Sequence, residues 1–307
     1  MFFLITRLSA ALAAIAVLAG LATDVRAQGG PPSGVSWQAT GFAAYQGDSD
    51  LDDGGSFTVA RGLAEVGFNY GLLGGGTVGF SVAGGASHYD FSSGTDFGGG
   101  DPWGRIDEWS FSLPVFLPIG GNATGLVIPT VRYAGESGAS FRDGESYGAI
   151  VGVFWRISEN LTLGPGAGIL NEVDDETVFF PFLIIDWDIT DRWNLSTGRG
   201  LAASRGPGLT LEYAATDTLR IGIATRFEES EFRLDDDGTA PGGIGFDRSI
   251  PVVATVAWEP NPGLSVSGFA GVALDGRVTL KDSDDRIIDR QDYDPAPVFG
   301  GTLVYRF

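Results

Sequence analysis

The feature that most constrains this chain is an alternation that returns segment after segment and runs into the last residue. Counting back in twos from Phe307 gives Tyr305, Leu303, Gly301 and Phe299; between them lie Arg306, Val304, Thr302 and Gly300. Successive side chains on a strand point to opposite faces, so this tail has one aromatic, apolar face and one small or polar face. From Leu161 the split is Leu161, Leu163, Pro165, Ala167 and Ile169 against Thr162, Gly164, Gly166 and Gly168. Tyr147, Ala149, Val151, Val153 and Trp155 oppose Ser146, Gly148, Ile150, Gly152 and Arg156 in the same way, and from Leu219 to Glu228 the pattern returns. A helical chain could not use the 48 glycines, since each interior glycine costs a helix up to about 1 kcal/mol.

Short polar phrases punctuate these segments: Ser158-Glu159-Asn160, Thr190-Asp191-Arg192, Thr216-Asp217-Thr218 and Pro260-Asn261-Pro262-Gly263. Each opens an alternating strand, as tight turns on one rim of a barrel do. A soluble sandwich also alternates, but its solvated face carries Lys, Glu and Thr rather than Gly and Ser with scattered opposite charges. Aromatics at strand ends (Trp37, Tyr70, Trp109, Trp155, Trp187, Trp193, Trp258 and Tyr305) fit girdles at two bilayer interfaces. The closing strand, with Leu303, Tyr305 and Phe307 at alternate positions, resembles the terminal insertion signal of bacterial outer-membrane β-barrel proteins. That resemblance implies outer-membrane lipid and the barrel-assembly machinery as partners. It extends over the whole mature chain to barrel families catalogued only as domains of unknown function, from which no catalytic residue carries over.

The expected fold is therefore all-β, a transmembrane antiparallel up-and-down barrel. The segmentation gives fourteen strands: 36–47, 56–70, 76–91, 103–118, 124–136, 141–156, 160–171, 176–189, 192–202, 207–216, 218–233, 247–259, 264–280 and 288–307. An even count puts both termini on one side, with short periplasmic turns and acidic external loops at 48–55, 171–176, 235–245 and 282–289. Twelve strands is the alternative, because Arg199 falls on the outward parity and Arg205-Gly206-Pro207 reads as a bulge or a loop.

Ahead of the barrel (35–307), Arg7, the apolar stretch Leu8 to Ala22 and Val25-Arg26-Ala27 read as a signal peptide over 1–27 cleaved after Ala27. Residues 28–34 form a short Gly/Pro linker. The absence of Cys excludes a lipoprotein attachment site and disulfides. Net charge is −20, and removing the signal (Arg7 and Arg26 against Asp24) leaves −21, which argues against nucleic acid. Lys281 is the one lysine; the other basic residues are arginines, which fork between carboxylates and suit a lumen of facing charges.

Motifs for chemistry are weak. Gly144-Glu145-Ser146-Tyr147-Gly148 has the spacing of a serine-hydrolase elbow but lies in an alternating strand with no helix after it. His88 is the single histidine and so the single imidazole base. Strict parity sends it outward, whereas a bulge at Gly84-Gly85 would turn it inward. Asp48-Ser49-Asp50-Leu51-Asp52-Asp53-Gly54 departs from an EF-hand at the sixth position, Asp53, and at Val59. Gly98-Gly99-Gly100 lacks the Lys of a phosphate loop. No catalytic residue, cofactor or metal ligand is assigned.

Inward parity collects Glu65, Glu108, Arg132, Arg156, Asp186, Asp188, Glu212, Arg220, Arg226, Glu228 and Arg306 as lumen-lining candidates. Such charges either pair across the interior or line water. Inward glycines are taken to leave space, so a narrow passive channel for small, cation-leaning solutes is the leading expectation. A structural or surface-interaction barrel with a closed lumen comes next, and a membrane-embedded hydrolase is remote. Nothing in the sequence fixes the oligomeric state.

Overall fold

The computed structural model describes residues 34–174, 176–197 and 208–307. The expected signal peptide, most of the linker, Arg199 and Arg205-Gly206-Pro207 lie outside the described residues. Seventeen strand segments form one sheet that closes on itself when β17 (Ala296–Arg306) pairs antiparallel with β1 (Val35–Asp50), Gln38 opposite Arg306 and Gln46 opposite Val298.

Three wall strands are each interrupted once, so the seventeen segments make a fourteen-strand barrel, not the twelve-strand alternative. β4 (Arg105–Ser112) and β5 (Val115–Gly120) are separated by Leu113-Pro114, where the proline has no N–H to give the ladder. Pairing still bridges the break through Gly79 N–H to Pro114 O at 2.7 Å and Leu113 N–H to Pro129 O at 3.0 Å. β16 (Ile287–Tyr293) and β17 are parted at Asp294-Pro295. β12 (Leu219–Arg226) and β13 (Glu228–Arg233) are parted at Phe227, yet both stay in one register against β14 (Ile244–Asn261).

The remaining wall runs β2 (Ser56–Gly71), β3 (Thr77–Phe91), β6 (Ala123–Glu136), β7 (Glu145–Ser158), β8 (Leu161–Asn171), β9 (Thr177–Asp188), β10 (Trp193–Ser196), β11 (Gly208–Ala214) and β15 (Leu264–Lys281). Turns at 121–122, 159–160, 189–192, 215–218 and 262–263 lie on one rim, and the longer connections gather at the other mouth.

Outside, the wall carries an apolar belt. Val66, Val127, Leu183, Ile223, Val256, Phe299 and Leu303 are all exposed. Trp37, Tyr70, Trp155, Trp187, Trp193, Trp258 and Tyr305 face outward near the short-turn rim. Trp109 sits toward the other end, its ring laid over Gly84, where an added Cβ would meet it at 2.6 Å. Beyond Trp109 the outer face changes character: Asp107, Arg105, His88 and Asp90 follow, and Arg277 and Asp292 pair on the neighbouring wall. About ten residues of tilted strand cross a bilayer. β1, β2, β14 and β15, at 16 to 18 residues, continue past that charged collar.

Candidate functional site

The interior of the barrel is mostly filled. β13 supplies the cause. Glu228 to Phe232 are all buried, unlike a wall strand with one face open, and Arg233 bridges in parallel to Gly135 of β6. Five wall strands, β7 to β11, lie between β12 and β6 in the barrel order. Still paired with β14 along its whole length, β13 therefore leans inward and reaches across the mouth to β6 as a septum. The guanidinium of Arg233 holds it there, donating to the carbonyls of Asp143 (2.9 Å), Gly242 (3.1 Å) and Val173 (2.7 Å).

On one side of the septum is an apolar plug. Phe57, Tyr89, Phe91, Phe97, Trp103, Phe232, Leu280 and Tyr293 pack together. Trp103 meets Phe232 edge-on at 5.2 Å and Tyr89 at 5.9 Å, the T-shaped contact aromatic quadrupoles favour. Trp103 is thus the one tryptophan turned away from the lipid belt. It arrives on the 92–104 connection, whose Gly98 has φ 58 and donates its N–H to Asp289 at 2.9 Å. The Gly98–Gly100 run binds the protein's own carboxylate and serves closure.

Beneath the plug lies a buried polar knot that sequence reasoning missed. Asp247 accepts from Arg61 at 2.7 Å, from Tyr89 OH at 2.9 Å and from Tyr293 OH at 3.0 Å; Gln46 Oε1 accepts from Arg61 at 3.3 Å. Arg61 stands on the same inward parity as Glu65, so alternation alone could have reached it. The burial of Asp247 depends on strands far apart in sequence.

Among the lumen-lining candidates Glu108, Glu212, Arg226 and Glu228 are buried, whereas Arg156 and Asp188 are exposed. Arg132 and Glu108 approach to 3.6 Å, Arg226 and Glu228 to 2.8 Å, and Arg220 pairs with Glu259 at 3.4 Å. Asp186 and Asp188 share the two amide hydrogens of Asn194, each at 2.9 Å. Arg306 donates to Gln38 at 3.1 Å, Glu65 takes a hydrogen bond from Ser81, Glu212 is buried, and Arg156 ends at the short-turn rim.

The glycine face of β8 does not leave the space expected of it. A Cβ on Gly166 would lie 2.4 Å from Phe182, and one on Gly168 would lie 2.0 Å from Phe180. The rings of β9 occupy that room within an apolar cluster of Leu126, Ile128, Ile150 and Phe180. Phe42, Ala224, Val253, Phe269 and Val298 fill the opposite side. Between the β6–β8 wall and the septum a small cavity of about 30 Å³ remains, lined by Thr130, Arg132, Ser146, Tyr147, Glu172 and Glu231 among others.

The hydrolase constellation does not assemble. β2 and β3 pair without a register shift, so there is no bulge at Gly84-Gly85 and His88 points outward. Ser146 points inward on β7, so wall lies between the two, and no helix follows Ser146. Asp48, Ser49 and Asp50 end β1, and Leu51 to Gly54 turn the chain into β2, with Asp53 N–H bonded to Gln291. Among the described residues, the carboxylates close enough to share a metal are instead Glu172, Asp174 and Glu231.

Similar solved structures are membrane barrels. An outer-membrane channel from Pseudomonas putida F1 aligns at 10% identity over 93% of this chain and 98% of that one, with TM-score 0.47. The toluene transporter TodX of Pseudomonas putida aligns at 8% identity over 90% and 91%, with TM-score 0.46. The translocator domain of the autotransporter NalP from Neisseria meningitidis aligns at 13% identity over 93% and 92%, with TM-score 0.37. No protein-family model matches the chain, and no curated protein matches it. The chain's own strand pairing makes it a closed antiparallel β-barrel of fourteen strands. Likeness at this level says nothing of a solute.

Proposed function

We propose that this barrel sits in the outer membrane as a channel closed by its own strand, passing small solutes only when the β13 septum is displaced. The observation that carries the reading is the septum itself. The long-loop mouth is shut by a segment held at its end through Arg233, whereas the short-turn rim carries Arg156, Asp186, Asp188 and Arg306 next to the apolar clusters of Phe180 and Phe269. Cations are the preferred solutes, because Glu65, Glu108 and Glu212 stand on the inner face. Leu303, Tyr305 and Phe307 present the apolar edge by which the assembly machinery would recognise the closing strand. Enzymatic activity forms no part of the proposal.

A second reading, a structural barrel with a permanently closed lumen, draws on the Phe180 and Phe182 rings that fill the glycine face of β8. Planar-bilayer recording separates the two. Wild-type protein should give rare, brief steps, while Arg233→Ala and removal of 235–242 should give sustained ones whose cation preference falls on adding Glu65→Gln. Steady wild-type conductance would overturn the closure. Silence from variants whose β circular dichroism is intact would leave the structural barrel.

A further inference from the structure

The 172–176 connection meets the septum through carboxylates. Glu172 and Asp174 come from the turn after β8, and Glu231 comes from β13, 57 residues beyond Asp174. One oxygen from each lies within 4.8 Å of the other two. Oxygens around a calcium ion, each 2.3–2.6 Å from it, span about that distance.

The cluster alone would be ordinary surface acid, but two features single it out. Glu172 is 7% exposed and its Oε1 has no hydrogen-bond partner. Glu229, two residues from Glu231 on the same face of β13, is 9% exposed, and its Oε1 is likewise unpartnered. Buried carboxylate oxygens are ordinarily satisfied. Positive charge nearby falls short: Lys281 Nζ takes one oxygen of Asp174 at 2.9 Å, Arg132 is shared with Glu108, and Arg248 is shared between Glu229 and Asp275.

We propose that Glu172, Asp174 and Glu231 bind one hard divalent cation, of calcium type, that pins the 172–176 turn to the β13 septum, with Glu229 supporting it from the same face. All donors are carboxylate oxygens, with no His or Cys, which selects against zinc and copper. The adjoining cavity, lined by Asn171 and Glu172, has room for about two waters, and carboxylates binding through both oxygens complete a coordination shell of six to eight. The site goes beyond the channel reading and holds whether or not the barrel conducts.

The test uses the refolded full-length barrel in detergent, stripped with EDTA and titrated with CaCl₂ and, separately, with terbium, whose emission Tyr147 at the cavity can sensitise. One saturating equivalent per barrel and a calcium-dependent rise in Tm are expected. Glu172→Gln/Glu231→Gln should lose both responses while melting no lower than wild type in EDTA, since it removes repulsion. The milder Asp174→Asn should weaken binding at least tenfold. No saturable binding by wild type would overturn the site. Equal binding by the double variant would also overturn it, by assigning the ion to the exposed acids at 48–53 or 282–285.

Discussion

The two ends of the barrel are built inside out relative to one another. Toward the short-turn rim the outer face is Trp, Val and Leu, and the inner face mixes Gln, Asp, Arg and Glu with the apolar clusters of Phe180 and Phe269. Past the collar of Arg105, Asp107, Arg277 and Asp292 the outer face is charged, and the inner face becomes the plug of Phe57, Phe91, Trp103 and Phe232. β2, β3 and β14 carry both halves in one parity, whereas β1 shifts register between Gln46 and Ser49 and β15 bulges at Asp275, whose φ is 51. What changes is the solvent outside: lipid demands an apolar exterior, and where lipid ends the strands revert to the soluble rule of an apolar core under a polar skin. The Asp247 knot sits beneath the plug, between the two regimes.

That contrast can be broken most sharply at the knot. Asp247→Ala strands Arg61 and two tyrosine hydroxyls in a buried site, and breaking a buried pair costs about 3–5 kcal/mol. Urea unfolding in lipid vesicles should show a loss of that size, with most of it recovered in Arg61→Met/Asp247→Leu. A loss below 1 kcal/mol would mean water reaches the knot and the halves are not sealed from each other.

A charge placed on one outer face at two heights draws the boundary. Val256→Arg lies in the lipid belt and should cost about 2–4 kcal/mol, whereas Ile287→Arg, equally outward but beyond the collar, should cost under about 1 kcal/mol. Equal penalties would dissolve the distinction.

The smallest effect belongs to the collar. Its hydrogen bond and ion pair with Arg277 hold the Asp292 carboxyl below the usual range. A depressed carboxylate stabilises the fold above its unfolded pKa, and that stability is lost as pH falls toward the folded value. Because the pair is exposed, the gain is a few tenths of a kcal/mol. Acid titration of Asp292→Asn against wild type should flatten the stability slope below about pH 4. An unchanged slope removes the pair from the account.

The wall was legible in the sequence because alternation is local: parity from Leu161 or Leu219 assigns faces without knowing any neighbour. Short turns marking one rim gave fourteen strands but left twelve open at Arg199 and Arg205-Gly206-Pro207, where parity breaks. Closure of the mouth was hidden for the opposite reason. Phe227-Glu228-Glu229-Ser230-Glu231-Phe232 reads as another alternating stretch, and only contact with β6 and the 172–176 turn shows that both its faces are buried. Glycine on β8 misled for a related cause. An absent side chain records room without saying who fills it, and Phe180 and Phe182 do. Glu172 and Asp174 were visible only as loop acid, because their meeting with Glu231 is tertiary.

Arg233 has a consequence for how this protein can vary. It grips three carbonyl oxygens, from Asp143, Val173 and Gly242, and no side chain. The connections that meet at the mouth can therefore exchange their outward residues freely, offering new faces to the surroundings, while the clasp stays intact. The clasp itself has no such freedom: a lysine there would bring a single ammonium point to a task that needs a planar fork. Variation at the rim of the mouth and constancy at one guanidinium are two sides of a single design.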